Sequence, residues 1–224
     1  YNTYGQITDI RLPSGVNIRY AYNSSPWVEA IVYDSGNNPH NLNLTYNISY
    51  DARGNITSIT DPDGITTSYA YDIVNRLTEI TDALSAKTKL SYNNAGLVDG
   101  VYRQLGASFN ESASINTYFE YNTVDRLTKI TDSLGRITQL TLDANDNIAQ
   151  VKDPQGQASG YSTDYGYNAF DLVASITLPE DYDPAAGNQN QTAISYCQDG
   201  LTRTITDAHG HSTEYIYDGY RRLV

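Results

Sequence analysis

The residue set that most resembles a ligand site is Asp143-Ala144-Asn145-Asp146-Asn147, which places oxygen donors at alternate positions like the start of a calcium loop. An EF-hand frame then needs Gly at its sixth position and Glu at its twelfth, where this chain has Ile148 and Pro154. The same five residues align with residues 51–55, a turn, so the reading is a turn and no metal is implied. His209-Gly210-His211 could offer two imidazoles to zinc, but no third donor cluster lies nearby. The remaining histidine is His40, far along the chain. No G-x-S-x-G elbow marks a nucleophilic serine. Paired carboxylates for glycoside hydrolysis need only be close in space, yet most acids here, such as Asp61, Asp82, Asp132, Asp153 and Asp207, fall at turns. Their expected work is to accept hydrogen bonds from nearby backbone amides. Cys197 is the single cysteine, which rules out an internal disulfide. Neither cofactor nor catalytic residue emerges, and the expectation is a protein that is not an enzyme.

These residues are positioned by a repeat. From Tyr50 the chain reads YDARGNITSITDPDGITTSYA, and from Tyr71 YDIVNRLTEITDALSAKTKLS. Tyr121 and Tyr196 open the same frame: Tyr-Asp/Asn, a Gly/Asn/Asp three residues on, then Ile/Leu, Ile and Thr-Asp. Repeats start at Tyr1, Tyr22, Tyr50, Tyr71, Tyr92, Tyr121, Leu142, Tyr167, Tyr196 and Tyr217, at spacings of 21, 28, 21, 21, 29, 21, 25, 29 and 21 residues. That is nine units and the beginning of a tenth, and residues 1–224 read as a single array. The repeat motif is carried by Tyr50, Asp51, Gly54, Tyr71, Asp72, Tyr92, Tyr121, Asp143, Tyr167, Tyr196, Tyr217 and Asp218. Leu142 alone replaces the tyrosine, and Asp143 keeps the frame.

Each unit predicts two strands and two turns. Residues 55–61 form one strand, Pro62-Asp63-Gly64 a turn, and residues 65–72 an alternating strand with Tyr69 and Tyr71 on one face and Thr66, Ser68 and Ala70 on the other. Short turns between consecutive strands make them antiparallel. The predicted fold is all-β: tandem antiparallel hairpins in a continuous, spiralling meander. No segment shows helical periodicity with caps at both ends. Ile56 and Ile59, like Leu77 and Ile80, are three apart, so either a β-bulge separates them or both sheet faces are covered. The extra residues of the long units, 35–41, 104–114, 157–164 and 180–191, all follow the first strand, at one edge of the sheet.

Composition agrees. The chain has 21 Tyr, three Phe and one Trp, with 39% hydrophobic residues, enough for a sizeable core. Tyrosine rings should sit where the hydroxyl reaches water or a partner. A net charge of −12 repels phosphate backbones and anionic lipid, which argues against nucleic acid and membrane partners. No run approaches the length of a membrane span, and no signal peptide is visible. With Tyr1 first and no Met, the chain reads as a piece of a longer protein. Six Asn-x-Ser/Thr sequons arise by chance in a sequence this rich in Asn and Thr.

The frame Y-D-x-x-G-[RN]-[LI]-x-x-[IV]-x-D-x-x-G, clearest at residues 50–64 and 71–85, closely resembles the YD repeat of the Rhs family, over essentially the whole chain. The resemblance implies hairpins winding into a β-shell, which in bacterial Rhs proteins and insecticidal Tc toxin components surrounds a toxic C-terminal segment. Related teneurins use such a shell outside animal cells, in adhesion. The segment that ends the Rhs shell, with its self-cleaving aspartates, is not visible here, nor is a toxin domain. The role carried over is therefore that of a wall segment in a secreted or surface protein, with flanking repeats and a cargo polypeptide as partners. The alternative is a binding or adhesion module, for a glycan or a cell-surface partner. An enzyme acting on polysaccharide is a third reading, but no interruption of the repeat supports it. Raw sheet edges also predict edge-to-edge dimers of the array.

Overall fold

The computed structural model describes residues 1–34, 42–104, 114–178 and 191–224. It divides into two compact units, 1–116 and 117–224. The first runs through β1 (Asp9–Arg11), β2 (Asn17–Tyr22), β3 (Val28–Tyr33), β4 (Leu44–Tyr50), β5 (Ile56–Thr60), β6 (Thr66–Tyr71), β7 (Leu77–Thr81), β8 (Lys87–Tyr92) and β9 (Val98–Arg103). Each strand pairs antiparallel with the next. The second is opened by β10 (Ile115–Tyr121) and continues with β11 (Leu127–Asp132), β12 (Ile137–Leu142), β13 (Ile148–Lys152), β14 (Thr163–Tyr167), β15 (Val173–Thr177), β16 (Gln191–Tyr196), β17 (Thr202–Thr206) and β18 (Ser212–Glu214). It too is an antiparallel meander. The fold class is all-β, built from consecutive hairpins.

The turns follow from five-residue sequences. At Asp51-Ala52-Arg53-Gly54-Asn55, the Asp51 amide donates to the Asn55 carbonyl at 2.9 Å and the Gly54 amide to the Asp51 carbonyl at 3.2 Å. This is a three-residue hairpin loop whose last residue must be left-handed. Gly54 has φ +91°, and Asn75, Asp125 and Asp146 hold the same place at +65°, +62° and +68°, residue types that tolerate it. The first side chain tightens the loop: Asp51 Oδ1 accepts from the Arg53 and Asn55 amides, both at 2.9 Å. Asp72, Asn93, Asn122, Asp143, Asn168 and Asp218 repeat the pattern. Asp61, Asp82, Asp132 and Asp207 do so at the opposite ends of the strands.

The register answers the spacing of Ile56 and Ile59. Tyr50 pairs with Ile56 and Ser49 with Ser58, so Thr57 is the extra residue of a β-bulge. Ile56 and Ile59 thereby share the face of Tyr50 and Ile48. The same step recurs opposite Tyr22, Tyr71, Tyr92, Tyr121, Leu142, Tyr167 and Tyr196. Where the bulged residue is Thr78 or Thr128, its hydroxyl donates to the carbonyl of Ala70 or Glu120, at 3.2 Å in both cases.

Two expectations need correction. Residues 154–159 form a helix, α1 (Pro154–Ser159), capped by the Asp153 side chain on the Gly156 amide and closed by Gly160 at φ +82°. Pro at the first helical position and Asp before it suit a helix start, but six residues are too few for periodicity to reveal. α1 begins in the turn that follows β13 and runs into the first residues of the 157–164 insertion. The other insertions fall largely outside the described residues, as does His40. The second correction concerns the core. Among the described residues no apolar side chain is fully buried. Contacts run between sequence-consecutive strands, with α1 resting on β12 and β13. A sheet buries its apolar face only against a second layer, and the described residues of neither unit supply one. In β6 and β16 the Tyr-bearing face is half-buried and Ser68, Ala70, Ala193 and Ser195 on the other face are exposed; in β12 Leu140 and Leu142 take the place of the tyrosines, with Gln139 and Thr141 exposed opposite. No helix among the described residues is long and apolar enough to cross a membrane.

Candidate functional site

The repeat tyrosines form the most regular feature of the two units. From Tyr22 to Tyr196 they stand at the ends of their strands, opposite the bulges, and at five of them the hydroxyl reaches back to the preceding hairpin. Tyr22 donates to the Ile7 carbonyl at 2.7 Å, Tyr50 to Val28 at 2.7 Å, and Tyr92 to Leu77 at 2.6 Å. In the second unit Tyr167 donates to Ile148 at 2.9 Å and Tyr196 to Val173 at 2.6 Å. Val28, Leu77, Ile148 and Val173 are the residues paired with the preceding repeat position, Tyr22, Tyr71, Leu142 and Tyr167. One side chain thus ties two successive repeats by a ring packed on the apolar face and a hydroxyl on the backbone. Loss of water around the hydroxyl raises the Tyr50 pKa, and does so foremost at Tyr71 and Tyr167.

The turns beside these tyrosines clasp one another with varied chemistry. Trp27 lies against Tyr50, with ring centroids 5.2 Å apart, and over Gly54, where a Cβ would come within 2.9 Å of its ring. Asn55 donates to the Asn75 side chain at 2.9 Å. The Arg76 guanidinium sits 4.5 Å from the centre of the Tyr92 ring. Arg126 makes two bonds to Asp146 Oδ2, at 3.0 and 2.8 Å. Asn145 and Asn147 both donate to Asp171 at 2.9 Å.

The residues with a chemical reading at the level of sequence resolve as follows. Asp143 is a turn acceptor whose Oδ1 takes the Asn145 and Asn147 amides. Its burial pushes the carboxyl up, but those amides and the Asn147 side chain outweigh it and hold the pKa low. His209 and His211 stack at 6.3 Å, and His211 Nδ1 lies 3.1 Å from Asp207. No group of three metal-ligating side chains occurs among the described residues. Cys197 keeps the turn backbone, donating to the Leu201 carbonyl at 2.8 Å, but its thiol replaces the carboxylate that caps the turn elsewhere. Asp51, Asp72, Asp132, Asp207 and Asp218 are held below the usual carboxylate range by the amides and side chains of their own turns. Asn55 leads at Asp51 through its side chain, and Arg222 at Asp218. Backbone amides lead at the other three, from Arg76, Arg136 and His211.

Sequence reasoning passed over a trough of about 400 Å³ on the Ser/Thr face of the first unit, lined by Ala70, Glu79, Lys89, Ser91 and Tyr102 among others. The available signals were Gly100 inside a strand and Tyr102 one residue out of phase with the other tyrosines.

A family model described as the RHS Repeat matches residues 50–87 and 121–158. A solved structure described as TcdB2-TccC3-Cdc42 superposes with a TM-score of 0.66 at 14% identity, covering 99% of this chain and 14% of that one. A Photorhabdus luminescens Tc holotoxin pore gives a TM-score of 0.44 at 12% identity, covering 97% of this chain and 14% of that one. The likeness of fold rests on the first. The chain spans about one-seventh of the length of either. No curated protein matches the chain.

Proposed function

We propose that this chain, which carries RHS repeats, is one continuous structural array: a wall segment in the β-shell of a larger toxin-type protein, secreted or displayed at a surface. The observation that carries the reading is the two-faced single-layer sheet. Tyr22, Tyr50, Tyr92, Tyr167 and Tyr196 each bind the preceding repeat, and the Ile/Leu/Tyr face is left only half-covered. Such an array gains stability at each repeat interface and can be extended indefinitely. Its partners on this reading are the repeats that flank it and a cargo polypeptide that the shell encloses or presents. Its terminal strands pair with those flanking repeats, and in isolation with a second copy, edge to edge. Its role is structural rather than catalytic.

The test uses the intact parent protein in a Cys197→Ser background. Single cysteines are placed on the apolar face (Leu90→Cys, Ile130→Cys) or on the polar face (Ser68→Cys, Gln139→Cys), then challenged with small and bulky maleimides. A wall protects one whole face from the bulky reagent while the small one reacts at both. Equal labelling of the two faces by the bulky reagent would sink the shell. A binding or adhesion module, for a glycan or a cell-surface protein, is the second reading. Its support is that every insertion leaves from the same ends of the strands.

A further inference from the structure

In both units the sixth residue of a repeat reaches the turn that opens the next repeat. Gln6 Nε2 donates to the Pro26 carbonyl at 3.0 Å. Asn55 bonds to Asn75, Arg126 to Asp146 and Asn147 to Asp171, and Arg76 lies over the Tyr92 ring. Trp27 fills the same place with an indole. Its ring is tilted by 41° against Tyr50 and lies over Gly54, where a Cβ would meet it at 2.9 Å. Glycine at this place, left-handed at φ +91°, lets a flat ring come down onto the turn backbone.

The junction between the repeats that open at Tyr167 and Tyr196 has the same frame without the ring. Tyr196 and Gly200 stand where Tyr50 and Gly54 stand. Tyr196 donates to the Val173 carbonyl at 2.6 Å, as Tyr50 does to Val28, and Gly200 is left-handed at φ +82°. Leu172 holds the place of Trp27, and its Cδ1 lies 3.9 Å from where a Gly200 Cβ would be. A leucine has no polar group to bond the next turn and too little area to cover it. What remains is a cavity of about 610 Å³, walled by Phe170, Leu172, Ala174, Ile194, Tyr196 and Cys197 among others. Phe170 stands at the turn tip, 83% exposed. The polar groups of the lining already have partners. Asn168 Oδ1 accepts from the Phe170 and Leu172 amides, Ser195 bonds to Thr204, and Asp199 pairs with Arg221 at 3.2 Å.

We propose that this cavity binds a neutral planar aromatic small molecule of the indole type, its ring lying on Tyr196 and Gly200 as Trp27 lies on Tyr50 and Gly54. The site continues the interface between repeats, and the molecule itself shows what that interface accepts. A tilted or offset aromatic pair is favourable beyond the area it buries, and the polarisable sulfur of Cys197 suits the edge of a ring. Because Asp199 is matched by Arg221, the cavity offers no net charge to a charged derivative. Its volume falls within the range of roughly 300–1,000 Å³ usual for small ligands. A small ring in an open cavity binds weakly, on the order of 1 mM. Since the ligand supplies a contact that the junction lacks, binding stabilises the pairing of β15 with β16. The site does not depend on whether the sheet encloses a cargo.

The experiment titrates the intact chain separately with indole, indole-3-acetate and the non-planar cyclohexanol. It follows the methyl resonances of Leu172 and Ile194 and the ring resonances of Tyr196. Indole shifts all three and slows amide exchange in β16 but not in β11. Leu172→Trp fills the cavity with the chain's own ring, so it weakens indole binding about tenfold or more and raises the urea midpoint. Phe170→Ala removes one wall at a turn place where another repeat carries Ala95, and weakens binding about threefold or more. Circular dichroism confirms that each variant folds, and should Leu172→Trp not fold, Phe170→Ala decides. No shift with indole, equal binding of cyclohexanol, preference for indole-3-acetate, or undiminished binding by the deciding variant overturns the proposal.

Discussion

Replacing Tyr50 by Phe removes one oxygen from a contact that recurs from repeat to repeat. The ring stays against Trp27 at 5.2 Å, while the 2.7 Å bond to the Val28 carbonyl disappears. A neutral hydrogen bond of this kind contributes about 0.5–1.5 kcal/mol net. Because Tyr50 is only half-buried, water can reach part of the freed carbonyl, which places the expected loss near 1 kcal/mol. The reverse experiment is written into the chain. Leu142 holds the tyrosine position of its repeat, and the residue corresponding to Val28 is Leu127, paired with Tyr121. Leu142→Tyr should bring a hydroxyl to the Leu127 carbonyl and stabilise the second unit by up to about 1 kcal/mol. Tyr4→Phe, at a ring 86% exposed, serves as the neutral control. Urea unfolding read by circular dichroism gives the midpoints. Amide exchange at β3 to β5 and at β11 to β13 localises each effect, which matters because repeat arrays need not unfold in one step. The reasoning fails if Tyr50→Phe is indistinguishable from Tyr4→Phe, or if Leu142→Tyr destabilises the unit it should bind together.

Asp72→Asn should keep the turn cap at neutral pH and give up only the carboxylate's bond to Arg76, since Asn93 and Asn122 cap the same turn with an amide oxygen. Asp72→Ala should lower the urea midpoint, and an equal midpoint for both variants would refute the turn-capping account. The lowered pKa values of Asp51, Asp72, Asp132, Asp143, Asp207 and Asp218 mean that their contribution is fully present above the unfolded value of 3.8. It is lost as pH falls through their folded values, so acid unfolding should set in below about pH 4 and be blunted by Asp→Asn replacements; an unchanged acid midpoint in the multiple variant contradicts this. Gly54→Ala should cost about 1–3 kcal/mol, from a left-handed backbone at φ +91° and a Cβ driven into Trp27. Gly64→Ala, at φ +81° with open space around it, should show the backbone part alone. Equal losses in thermal or urea unfolding would remove the Trp27 contact from the account.

Much of this protein was legible before any coordinates. The hairpins could be read because an Asp-x-x-Gly loop is made by five consecutive residues: the carboxylate of Asp51 bonds amides two and four places on, and Gly54 alone needs an unusual φ. That the extra residues of the long units follow the first strand was legible for the same reason, since a repeat frame keeps count of its own corners. Helix α1 escaped because it is six residues split between a repeat turn and the start of an insertion, shorter than two helical turns. The spacing of Ile56 and Ile59 was visible but ambiguous, and only the pairing of Tyr50 with Ile56 and Ser49 with Ser58 showed the bulge that sets both on one face. The reach of Tyr50 to Val28, 22 residues away, and the row from Ala70 to Tyr102 depend on register summed over several strands. Turn geometry is decided by bonds within one loop, so sequence alone determined the hairpin repeat. Which side chains meet across strands, and whether an apolar face is covered, are decided by partners distant in sequence, and those only the tertiary structure could place.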